Sequence, residues 1–91
     1  MAKLYCVKLE TIDKAGLMAE RYRNKAQLLD YQLEEINDDK EFDMTLKKIQ
    51  EYREKAENIE NALFNVHGYN KAEWKYIEIF KQAEIELQIS M

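Results

Sequence analysis

The strongest constraint on this chain is how little it has to turn with. In 91 residues there is no proline, the only glycines are Gly16 and Gly68, and Ser90 is the single serine. Turns and loops draw on Gly, Pro, Asn, Asp and Ser, each for its own backbone reason. A chain short of most of them is nearly all regular structure, joined by few connections. Its abundant Glu, Lys, Ala, Leu and Gln lose little rotamer freedom in a helix, so the expected class is mainly α. With 46% hydrophobic residues and ten aromatics among them, the composition is not that of a disordered segment.

The apolar residues are spaced accordingly. Ala15, Met18, Tyr22, Ala26, Leu29, Leu33 and Ile36 recur at steps of three and four. So do Phe42, Leu46, Ile49, Tyr52, Ala56, Ile59, Leu63 and Val66. Each series places one apolar stripe along a helix and, sustained over three heptads, forms a coiled-coil-like seam. Between them lies only Asn37-Asp38-Asp39-Lys40. A connection this short forces the helices antiparallel, and Asp38 suits the N-cap of the second. The spacing therefore predicts a long αα-hairpin, with helices over about 13–36 and 39–66 and arms about 35–40 Å long. Gly68 suits the left-handed position after the second helix. Asn70 and Glu73 then read as an N-cap signature for a shorter third helix over about 71–84, whose apolar face holds Ala72, Tyr76, Ile79, Phe80 and Ala83.

The two ends admit an alternative. Ile85, Leu87 and Ile89 alternate with polar residues, and the stretch from Leu4 to Leu9 has strand-like composition. An α+β arrangement, with short terminal strands at about 3–10 and 84–90 packed beside the hairpin, is the competing expectation. Yet Tyr5, Leu9, Ile12 and Ala15 also extend the first helical stripe.

Length predicts one domain, 1–91, since domains usually run to about 100–150 residues. A chain this small buries little surface, and oligomerisation is a common remedy. The sole cysteine, Cys6, excludes an internal disulfide and fits a reducing compartment. The short apolar stretch near the N-terminus, interrupted by Lys8, does not resemble a signal peptide, and nothing approaches the roughly 20 apolar residues of a membrane span. A cytoplasmic location is expected.

The motifs of catalysis are missing. His67 is the only histidine, and it pairs with Cys6 in no local nucleophile signature. Two distant glycines cannot build a phosphate loop. Asn37, Asp39 and Glu41 alternate as in a calcium loop, but Phe42 and Lys48 stand where glycine and a bidentate glutamate are required. We expect no enzyme, no metal and no cofactor.

Charge carries the remaining information. The net charge of −4 argues against general nucleic-acid binding, which needs a basic face. Lys14, Arg21, Arg23 and Lys25 against Glu20 make the early first helix +3, whereas Asp30, Glu34, Glu35, Asp38, Asp39, Glu41 and Asp43 against Lys40 make the hairpin tip −6. Bases early and acids late oppose the first helix's own dipole, at a few tenths of a kcal/mol per charge. The acidic residues, together with Trp74, are the candidate interaction residues. The expected function is a non-enzymatic protein–protein interaction module acting as a homodimer. The alternative is a small acidic inhibitor or regulator, of the kind mobile elements and phages encode, that blocks a basic site on a partner protein.

Overall fold

The apolar stripes close on each other as a helical hairpin, and a third helix lies along part of it. The computed structural model describes residues 3–89, in the order β1 (Tyr5–Cys6), α1 (Leu9–Leu33), α2 (Asp39–Phe64), β2 (Lys71–Ala72) and α3 (Trp74–Ile89). The architecture is mainly α, as the composition requires.

Local chemistry explains most boundaries. Asp38 caps α2 with extended backbone angles, its carboxylate accepting the Lys40 N–H at 3.0 Å. Asp39 and Glu41 then occupy the first turn, where the helix dipole favours acids. α1 begins one turn earlier than its stripe predicts. The Lys8 carbonyl accepts from the Thr11 and Ile12 N–H groups, and the added turn places Thr11 among the buried residues. At its other end α1 stops at Leu33, three residues short of expectation, because the Glu35 and Ile36 N–H groups bond to the Gln32 and Leu33 carbonyls. Those tighter i→i−3 bonds satisfy the end of the helix and turn the chain.

The connection from α2 to α3 differs from the sequence reading. α2 ends at Phe64, and Gly68 is not its cap. His67 and Lys71 exchange backbone hydrogen bonds around Gly68-Tyr69-Asn70, with Gly68 at φ 62°. The Asn70 carbonyl accepts the Val7 N–H at 2.8 Å, and β2 pairs antiparallel with β1, Tyr5 opposite Ala72 and Cys6 opposite Lys71. Residues 70–72 are thus committed to a ribbon with the N-terminal segment, so α3 starts at Trp74 and not at 71. Its first bonds run from the Tyr76 and Ile77 N–H groups to the Glu73 carbonyl.

The C-terminal strand does not form. α3 runs on through Ile89, with residue 90 outside the described residues. Helical spacing explains why: Ile77, Phe80, Ala83 and Leu87 are all buried, while Ile85 and Ile89 are exposed. The alternation of Ile85, Leu87 and Ile89 is real, but burying Leu87 beside Ala83 and Phe80 favours period 3.6 over period 2. The N-terminal strand survives as two residues, paired with Lys71–Ala72 and not with the C-terminus.

α1 and α3 both start at the ribbon. The Tyr22 hydroxyl donates to Glu86, roughly three and a half turns into each helix, so the two run parallel up the hairpin. Where the three helices meet, Ala15, Ala19, Ala56, Ala62 and Ala83 are buried around Phe80, Met18, Ile59 and Ile77. Small side chains let the helix axes approach closely, and the molecule is a plate of 51 × 29 × 16 Å.

Two substitutions separate packing from backbone. Phe80 has no solvent exposure, so Phe80→Ala is expected to lower the urea-unfolding free energy by about 3–5 kcal/mol. At Gly68 a Cβ would meet nothing within 4 Å. Gly68→Ala should therefore cost only the left-handed conformation, about 1–2 kcal/mol.

Candidate functional site

α3 is much shorter than the arms it lies on, and this decides what stays open. At 1.5 Å per residue the arms are about 37–39 Å long and α3 about 24 Å. With Glu86 beside Tyr22, α3 ends about one turn higher, near the level of Lys25. Beyond that level the hairpin is two bare helices. No residue from 27 to 48 is buried, although this stretch holds Leu28, Leu29, Tyr31, Leu33, Ile36, Phe42, Met44 and Leu46. Leu28 is 59%, Tyr31 65% and Met44 58% exposed.

The tip carries the acids. Asp30, Glu34, Glu35, Asp38, Asp39, Glu41 and Asp43 are all exposed, and the structure gathers them at one end of the molecule. The ion pairs Lys14–Glu10, Arg23–Glu60 and Lys75–Glu73 all lie outside this group. Among the described residues, Asp38 is the one member of the group whose carboxylate is engaged, as the α2 cap. Trp74 stands at the opposite end. Its ring meets Tyr5 edge-on at 5.6 Å, Lys81 Nζ lies 4.9 Å from its centroid, and its indole N–H donates to Glu78 at 2.6 Å. Half exposed but held by Tyr5, Lys81 and Glu78 of its own chain, Trp74 belongs to the ribbon end and shares no surface with the tip.

Just below the bare segment is a feature the sequence reading did not assemble. Tyr22 and Tyr52 stack across the α1–α2 seam with centroids 5.8 Å apart. Lys25 Nζ lies 5.8 Å from the Tyr52 ring and Lys55 Nζ 5.4 Å from the Tyr22 ring, which anchors two ammonium groups by cation–π attraction. On the same arms, Arg23 Nε donates to Glu60 at 3.1 Å, and the guanidinium holds the Glu60 carboxyl below the usual carboxylate range. The i,i+4 spacing of Glu51 and Lys55 suggests a helix-surface ion pair, whereas the structure turns Lys55 onto an aromatic face. The facing stripes place Tyr22 opposite Tyr52, and the fold adds the ring stacking and the two lysines over it.

The titratable groups considered for chemistry do come near one another. Cys6 faces Lys71 across the ribbon, and Lys71 faces His67. Cross-strand partners share a face, so the three side chains form a row with Lys71 in the middle. Cys6 and His67 are thus two strand spacings, roughly 10 Å, apart at the backbone. All three are exposed, in no enclosed pocket. Among the described residues, no group of three or more His, Cys, Asp or Glu is arranged to hold a metal ion, and no helix is long and apolar enough to cross a membrane.

No protein-family model, no curated protein and no solved structure matches this chain. The reading of the site therefore rests on its geometry.

Tyr22 offers a test of how α3 is held. Burial and the neighbouring Glu86 carboxylate push its hydroxyl well above the ordinary tyrosine pKa. Below about pH 10, the unfolded tyrosine value, its contribution is fully present. Above that pH the unfolded chain ionises first and the contribution is lost. Tyr22→Phe is expected to cost about 1–2 kcal/mol at neutral pH and to shallow the loss of stability above pH 10, as followed by circular dichroism during urea titration.

Proposed function

We propose that this chain is a protein-interaction module that acts as a homodimer through the bare distal half of its hairpin, and that it performs no catalysis. One observation carries the reading: 22 consecutive residues, 27–48, contain eight large hydrophobic side chains, five of them exposed and none fully buried. Exposed apolar surface concentrated on one part of a protein marks interaction sites. A second hairpin supplies matching length and apolar stripes, and two such pairs make a four-helix bundle.

A second reading, an acidic inhibitor or regulator, is favoured by a different observation. The tip carboxylates project from the far end of the hairpin without ion-pair partners among the described residues. They could dock on a basic surface of another protein while the apolar segment holds two copies together.

Light scattering at about 50–100 µM, a range that populates micromolar dimers, should give twice the 10.9 kDa chain mass. Leu46→Asp should return it to the monomer mass with its helical circular dichroism unchanged. A wild-type chain that stays monomeric at these concentrations would falsify the dimer. Salt-sensitive capture of a basic protein, lost on reversing the tip charges in a chain that remains dimeric, would favour the second reading.

A further inference from the structure

The charge of the hairpin is ordered along its axis. Residues 30–43 at the tip hold seven acidic side chains against one basic. Next comes a girdle without charge, residues 26–29 of α1 and 44–46 of α2, which includes the exposed Leu28, Met44 and Leu46. Below it lies a basic collar, residues 21–25 and 47–55, with seven basic side chains against two acidic. Along the arms the order is thus −6, neutral and apolar, then +5, with Arg23 of the collar already paired to Glu60.

That order is self-complementary in only one orientation. Side-by-side parallel hairpins would lay −6 on −6. A two-fold axis crossing the girdle at right angles to the arms places each tip on the partner's collar, twice, as an isologous interface requires. The spacing agrees. On each arm the girdle lies about five residues, roughly 8 Å, from the middle of the tip and from the middle of the collar. α3 ends at the collar, so it does not obstruct the girdle. The collar charges are also held in place, with Lys25 and Lys55 seated on the stacked Tyr52 and Tyr22 rings.

We propose that the occupant of the bare hairpin is a second copy of this chain in antiparallel orientation, girdle on girdle, with the acidic tip of each copy on the basic collar of the other. The proposal rests on the dimer reading above and specifies its geometry. It also accounts for the placement of charge along α1. The acids late in α1 oppose that helix's own dipole, but they face basic residues on an antiparallel partner.

A charge swap tests the orientation. The tip variant carries Glu34→Lys, Glu35→Lys and Asp39→Lys. The collar variant carries Lys25→Glu, Lys47→Glu and Lys48→Glu. All six positions are exposed, and circular dichroism checks that each variant folds. By sedimentation equilibrium, each variant alone should self-associate at least about tenfold more weakly than wild type. An equimolar mixture should associate more tightly than either variant alone, because one tip–collar contact is again −6 on +5 while the other is close to neutral. If either variant alone keeps wild-type affinity, or the mixture associates no more tightly than either variant alone, the antiparallel register is wrong while the dimer stands. A monomeric wild type overturns both.

Discussion

The molecule depends on a single packing event, the seating of α3 in the groove between α1 and α2. Phe80, Ile77, Ala83 and Leu87 form the buried face of that helix. They are received by a surface made largely of alanine, with Ala15 and Ala19 from α1 and Ala56 and Ala62 from α2. The short side chains allow close approach and a dense contact. They also limit how much apolar area one chain can bury, which leaves a domain of this size modestly stable. The Tyr22–Glu86 hydrogen bond and the β1–β2 ribbon fasten the two ends of α3.

The length of α3 then divides the hairpin into two unlike halves. The ribbon half has three helices and essentially all the buried residues. The distal half has two helices, and most of its apolar side chains stand at the surface, with Leu29, Leu33 and Ile36 half-buried between the arms. Burial per residue drops along the same two arms without any break in the apolar spacing, so the stripe outruns the helix that covers it. The division also orders the charges: seven of the eighteen acids crowd the tip of the bare half, and the lysines of the collar mark its lower border.

Much of this was legible from residues alone. The lack of Pro, Gly and Ser pointed to long helices, and the 3–4 spacing placed the hairpin with its reversal at Asp38, which does cap α2. The acidic cluster was equally visible, because seven acids flanking one short turn must lie together at its tip. The reading failed where a local signal met a stronger distant one. Asn70 and Glu73 resemble a cap, yet the Asn70 carbonyl is claimed by Val7, which lies more than 60 residues earlier in the chain. Ile85, Leu87 and Ile89 resemble a strand, yet burial of Leu87 beside Ala83 keeps them helical.

What the sequence by itself determined is therefore whatever depends on neighbours within a few residues: the helical class, the seams, the turn between the long helices and the run of charge along each arm. What only the tertiary structure decided is how far the third helix reaches, and with it which apolar residues remain uncovered. The Tyr22–Tyr52 stack beneath Lys25 and Lys55, the row of Cys6, Lys71 and His67, and the separation of Trp74 from the acidic tip belong to the same category. The physical reason is one of range. Helix propensity, capping and periodicity act within one or two turns, whereas coverage depends on which distant segments meet and where the shorter one ends.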